Sequence, residues 1–182
     1  LSHLVNGEYF CDYIYSVTFE MIDKTLKTAK GLLERDEQSV KILTEALVIV
    51  GIMMSFATTS RPASGSEHHL SHYFEVTGLL RGEPYFCHGI DVIYSTYVTA
   101  KLRQELQNID SPKNKAFDAD EWKNNIRRVY GVKDNTATAD GIIALQEKLG
   151  WIYENKLPIY REKWSEIREV LADSPTPERV LE

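Results

Sequence analysis

An all-α fold is what this sequence predicts, on three observations. Apolar residues recur at helical spacing along most of the chain. No stretch alternates polar and apolar with period two over a useful length, so no strand is bounded for a hairpin turn to join. Two segments, Ser64-Gly65-Ser66-Glu67 and Asp118-Ala119-Asp120-Glu121, have the form of a capping box, which opens helices by satisfying orphan backbone N–H groups.

Taken in order, Leu1-Ser2-His3-Leu4 reads like the middle of a longer protein rather than its beginning. Gly7 and Glu8 then precede a helical run from Tyr9 to Leu33, with Ile14, Val17, Met21 and Leu26 on its apolar stripe and Gly31 fraying its end. Asp36-Glu37-Gln38-Ser39 opens a second helix, apolar almost all round from Ile42 to Ala57. It contains Glu45 and falls short of the ~20 apolar residues of a membrane span, so the sequence predicts a central buried helix. Thr58 to Pro62 breaks it. A third helix follows the first capping box and ends near Gly78 or Gly82, and Gly82-Glu83-Pro84-Tyr85 forms a short connection. His88-Gly89 starts the next, Ile90 to Leu106, and Gln107 to Phe117 with Pro112 is a loop. Asp118 launches a helix carrying Trp122, Ile126 and Val129, with Gly131 as its stop. Thr138 to Leu149 is another, closed by Gly150. Pro158 is expected in the first turn of a helix that carries Ile159, Trp164, Ile167, Val170 and Leu171. The tail from Ser174 holds a last short turn. Trp122, Tyr160 and Trp164 are expected in the core.

Composition narrows the function. The 182 residues suffice for one domain of ordinary size, and the 43% hydrophobic and 26% charged fractions are those of a globular protein. A formal charge of −6 and the lack of an extended Lys/Arg run argue against nucleic acid and against an anionic membrane surface. Cys11 and Cys87 form no C-x-x-C pair, so reduced thiols in the cytoplasm are the default. No signal-peptide pattern opens the chain. Neither a G-x-G-x-x-G nor a G-x-x-x-x-G-K-[ST] phosphate cradle occurs, and no G-x-S-x-G elbow marks a serine nucleophile. Exposed aromatics such as Tyr94 and Tyr97 are compatible with a homo-oligomer contact.

The chemistry gathers instead between Ser60 and Glu75, which holds three of the five histidines. At about 100° per residue, His68, His72 and Glu75 share one helix face while His69 points aside. A helical hairpin could bring His88 back beside His68. Two imidazoles and a carboxylate with a position open suit Zn²⁺ or a similar ion acting as a Lewis acid. A His-x-x-x-His pair is also common as surface or satisfied core, and spacing does not decide between them. Glu75 reads equally as an orienting carboxylate or as an ordinary helix-packing acid.

The block Ser60-Arg61-Pro62-Ala63-Ser64-Gly65-Ser66-Glu67-His68-His69-Leu70-Ser71-His72, with His88-Gly89 following, resembles the sn-glycerol-1-phosphate dehydrogenases, including bacterial members of arabinose operons. These belong to the dehydroquinate synthase-like and iron-containing alcohol dehydrogenase superfamily. The likeness takes in Leu1 to Tyr9, runs to about Leu106 and is looser beyond. It implies the helical C-terminal domain of that fold over residues 1–182, acting on a small phosphorylated substrate. The implied reaction is reduction of dihydroxyacetone phosphate with NAD(P)H and zinc or nickel. It also implies metal-ligand roles for His68 and His88 and a substrate contact for His72. Arg61 is placed to reach the substrate phosphate, or is a solvated loop residue.

Two departures stand out. The family's nicotinamide-binding α/β domain and its third ligand, an aspartate just before the helical domain, lie outside this chain, and neither Asp12 nor Asp23 has the context to replace that ligand. Ile93-Tyr94 stand where the family tends to have glycine. The isolated chain is therefore expected to be inactive and to bind metal weakly. A glycerol dehydrogenase or dehydroquinate synthase-like domain is a second reading, although the synthase has Asn-Phe-Gly where this chain has Gly65-Ser66-Glu67. A free-standing helical module that binds a partner through a vestigial site is a third.

Overall fold

The computed structural model describes residues 1–84, 86–113, 116–132 and 136–181. Among them every regular element is a helix and no β-strand occurs, so the all-α expectation holds. The Tyr85 end of the first connection, residues 114 and 115 of the long loop and Glu182 of the tail lie outside the described residues.

The chain divides into two compact units, residues 1–8 with 66–182, and residues 9–65. The second unit is a small helical cluster. Its helices are α2 (Asp12–Lys27), α3 (Ala29–Leu33) and α4 (Glu37–Ala57), with α4 packed on α2 and α3. The run expected from Tyr9 to Leu33 is interrupted at Thr28, whose hydroxyl donates back to the Thr25 carbonyl at 2.9 Å. Such back-bonding competes with the helix's own ladder and accompanies the break. Asp36 caps α4 as its sequence suggests, accepting the Ser39 N–H at 2.9 Å. Thr58 ends α4 in the left-handed region at φ 53°, an uncommon conformation for a β-branched residue.

The expected burial of α4 does not hold. Its apolar window has a mean hydropathy of 1.9, yet only 11% of that window is buried, and by length and composition the helix could cross a membrane. Ser39, Ala46 and Met53, spaced by seven, are its buried residues, whereas Leu47, Val48, Ile52 and Phe56 are exposed. The physical reason is that only one stripe of α4 meets α2 and α3, so residues apolar all round outnumber the partners available to them.

The first unit holds α1 (Ser2–Asn6), α5 (Ser66–Arg81), α6 (His88–Gln107), α7 (Ala119–Tyr130), α8 (Ala137–Leu145), α9 (Leu149–Glu162), α10 (Trp164–Ala172) and α11 (Pro177–Leu181). Its core joins Val5 of α1 to Trp164, Ile167 and Leu171 of α10, with Leu4, Ile109 and Ile159 against them. The Trp164 indole satisfies its one donor on the Ile109 carbonyl at 2.9 Å, which ties the long loop to this core. Of the two stops read from the sequence, Gly82 closes α5 at φ 64°, whereas Gly78 lies buried within it. Gly131 closes α7, but in extended conformation (φ −80°) rather than a left-handed one. Glycine is required there because a Cβ would stand 2.4 Å from the Arg127 carbonyl oxygen.

Two boundaries in the C-terminal half differ from expectation. Helix α8 stops at Leu145, and Gly150 lies within the first turn of α9 instead of closing α8. Pro158 is inside α9, not at its start, and the expected single helix is two, α9 and α10, meeting at Lys163. Proline in a helix interior costs about 3 kcal/mol. Helix α9 nonetheless continues through it, since α1 packs on α9 and the Lys156 ammonium donates to the Val5 carbonyl at 3.3 Å. Of the three aromatics assigned to the core, Trp164 is buried, Trp122 is half-buried and Tyr160 is exposed at 41%. Helical spacing gives a residue's angle on its helix, not whether another element faces it.

Candidate metal centre

The site is built on α5 and α6, and the small residues between them explain its formation. Ser71, Thr77 and Gly78 are buried on α5, and Asp91, Ser95, Thr99 and Ala100 on α6. Side chains of this size let two helices pack closely, so that a residue at the start of α6 can reach back to the middle of α5. Ser71 and Ser95 are wholly enclosed. At the other end of the contact, Arg103 of α6 donates to the Ser66 hydroxyl at 3.0 Å and lies 4.0 Å from the Glu67 carboxylate.

On this support His68, His72 and His88 converge, as read from the sequence. Ring centroids of His68 and His88 are 5.4 Å apart, those of His72 and His88 also 5.4 Å with planes 18° from parallel, and those of His68 and His72 6.4 Å. His69 is exposed to the side. Glu75 sits between two of the rings, with one carboxylate oxygen 2.8 Å from His72 Nδ1 and the other 2.6 Å from His88 Nδ1. Those two contacts, His72's first and His88's next, hold the Glu75 carboxyl below the usual carboxylate range. His68 Nδ1 meets a different carboxylate, Glu67, at 2.9 Å. The Ser71 hydroxyl lies 3.4 Å from His88 Nδ1, a much longer contact than that of Glu75.

The set fits a divalent ion of the zinc or nickel kind. Imidazole nitrogen is a donor both accept, and the His88 ring stands with its centroid 5.4 Å from those of both His68 and His72. The histidines are partly solvent-accessible, from 24% for the His68 side chain to 61% for that of His72, so an ion and a small substrate can both enter. Arg61 belongs to the other compact unit, in the turn where the Ala63 N–H donates to the Ser60 carbonyl. Glu67 and Ser71 are the residues that spacing did not single out. Glu67 was visible only as a cap, and Ser71 only as a small residue one helical turn beyond His68. Asp91, on α6 one turn beyond His88, is buried, and its Oδ2 has no hydrogen-bond partner among the described residues.

Fold and site together define an all-α domain that presents a cluster of imidazoles and carboxylates on a helical hairpin. Comparison with known proteins gives that class its relatives. The chain is 37% identical to the glycerol-1-phosphate dehydrogenase [NAD(P)+] of Halalkalibacterium halodurans over 102 residues, which cover 56% of this chain and 26% of that enzyme. The enzyme of the same name from Thermococcus sibiricus is 34% identical over 121 residues, 63% of this chain and 34% of the relative. That of Geobacillus stearothermophilus aligns over 98% of the chain at 26% identity, covering 37% of the relative. The resemblance read from the sequence is thereby shown: this chain is similar to proteins named glycerol-1-phosphate dehydrogenase. It spans about a quarter to a third of the length of the relatives it matches. No protein-family model and no solved structure matches it.

Proposed function

We propose that this chain is the helical, metal- and substrate-binding part of an NAD(P)-dependent glycerol-1-phosphate dehydrogenase, interconverting dihydroxyacetone phosphate and sn-glycerol 1-phosphate. The observation that carries the reading is the convergence of His68, His72 and His88 on α5 and α6, in a chain whose relatives bear that enzyme's name. His68 and His88 would hold zinc or nickel. When bound, such an ion supplies Lewis-acid polarisation of the substrate oxygen, which favours the alkoxide that forms as hydride is transferred.

The chain's own residues do the rest. His72 Nε2 exchanges the proton with that oxygen: its lone pair accepts the hydroxyl proton in the oxidising direction, and the imidazolium returns it on reduction. The Glu75 carboxylate, 2.8 Å from the opposite nitrogen, favours that transient positive charge. The nicotinamide binds outside these residues, so the isolated chain does not turn over substrate. A phosphorylated metabolite and a nicotinamide cofactor fit a cytoplasmic setting.

The test is kinetic. Full-length protein containing this chain is expected to oxidise NADH or NADPH with dihydroxyacetone phosphate, to lose that activity to a chelator, and to lose it again in His68→Ala. Equal turnover with unphosphorylated glycerol would overturn the assignment of a phosphate substrate.

A further inference from the structure

Glu75 touches both the histidine proposed as a metal ligand and the one proposed to meet substrate, and its two oxygens are divided between them. Two roles are open to a carboxylate so placed: it can ligate the ion or fix the imidazoles. Distances decide. Two donors on one tetrahedral zinc, each about 2.0–2.1 Å from it, stand about 3.3 Å apart. The separations here are 2.8 and 2.6 Å, which are hydrogen-bond lengths and too short for shared ligation. An ionised carboxylate can only accept, so each facing Nδ1 carries the proton.

We propose that Glu75 is a positioning residue that locks both His72 and His88 in the Nδ1–H tautomer, so that each neutral ring presents its Nε2 lone pair. One carboxylate thereby prepares a ligand atom on α6 and a substrate-facing atom on α5. The inference rests on the site reading above but goes beyond it, because it assigns the ring nitrogens and the residue that selects them. His68 follows the same pattern through a separate acid, its Nδ1 lying 2.9 Å from Glu67. The competing acceptor for His88, the Ser71 hydroxyl at 3.4 Å, is too distant to rival Glu75. Glutamine at position 75 could not do the same work. Its amide has one accepting oxygen, and its NH₂ would donate to the second ring, forcing that ring into the opposite tautomer.

The experiment uses the whole 182-residue chain, without metal or substrate. Nitrogen-15 NMR of the imidazoles, at a pH well above the ordinary histidine range, is expected to show Nδ1–H for both His72 and His88. Finding either ring as Nε2–H in the unsubstituted protein would overturn the inference, whatever any variant does. In Glu75→Gln one ring is expected to change tautomer, and zinc affinity by calorimetry to fall about 10- to 100-fold. A circular dichroism melt checks that the variant remains folded. Unchanged tautomers with unchanged zinc affinity in a folded Glu75→Gln would equally sink the idea. The tautomer measurement needs no turnover, so failure of the dehydrogenase assignment and failure of this inference give separate signatures.

Discussion

Helix α4 and the α5–α6 pair treat burial in opposite ways. Helix α4 is the most apolar long segment of the chain, yet within its unit it buries only the stripe of Ser39, Ala46 and Met53. The buried residues of α5 and α6 are serine, threonine, glycine, alanine and one aspartate, and two of the serine side chains are wholly enclosed. Hydrophobicity states how much surface a helix would gain by covering. Small residues state where another helix can come close. In this chain the second signal coincides with the candidate site, and the first points to a face that the described structure leaves open.

The contrast is sharpest within α4 itself. Met53 is buried, and its replacement by alanine is expected to destabilise the unit by about 2–5 kcal/mol through lost burial and a residual cavity. Leu47, 66% exposed on the same helix, is expected to tolerate alanine to within about 0.5 kcal/mol. Urea denaturation of the two variants checks both. Comparable losses would mean that the Leu47 face is covered in solution, and the contrast between the two regions would fail.

A smaller effect is expected on the other side. Ser95 has no space around it, so Ser95→Leu overpacks the contact between α5 and α6 at about 1–3 kcal/mol. The same substitution should lower zinc affinity, because the reach of His88 back to Glu75 depends on how closely the helices pack. Ser95→Ala removes a hydroxyl that has no partner among the described residues and should leave both quantities nearly unchanged. Smaller again is the cap of α7. Asp118 accepts the N–H groups of Asp120 and Glu121 at 3.0 and 2.8 Å, and Asp118→Ala should cost about 1 kcal/mol by thermal denaturation.

What the sequence made legible follows the same division. Caps and stops are local chemistry, and Asp36, Asp118, Gly82 and Gly131 all act where they were read. The gathering of His68, His72 and His88 was legible too, since it needs only helical spacing and a short connection. The pairing of Glu75 with two rings was not, because it depends on how α5 and α6 approach, and that is set by buried serines and threonines with no strong pattern of their own. The exposure of α4 and Tyr160 and the path of α9 through Pro158 were misread for one reason. Each depends on which partner is present, and periodicity is silent about partners.

The least effect is expected at Asp36, which shows how α4 holds together despite its exposure. Both the Ser39 N–H, at 2.9 Å, and the Ser39 hydroxyl, at 2.8 Å, donate to one Asp36 oxygen. These contacts, the backbone one first, lower its carboxyl below the usual aspartate range. A negative charge at a helix N-terminus is favoured by the helix dipole as well. Because the folded value is depressed, the stabilisation is fully present above the unfolded aspartate pKa and is lost as pH falls through the folded one. Asparagine caps nearly as well but does not titrate. The melting temperature of Asp36→Asn should therefore trail the unsubstituted protein slightly at neutral pH, and the gap should close on acidification through the carboxylate range. A gap that stays constant with pH would mean that the cap acts through its hydrogen bonds alone. The start of α4 would then owe nothing to charge, and its local support would be weaker than the geometry at Ser39 implies.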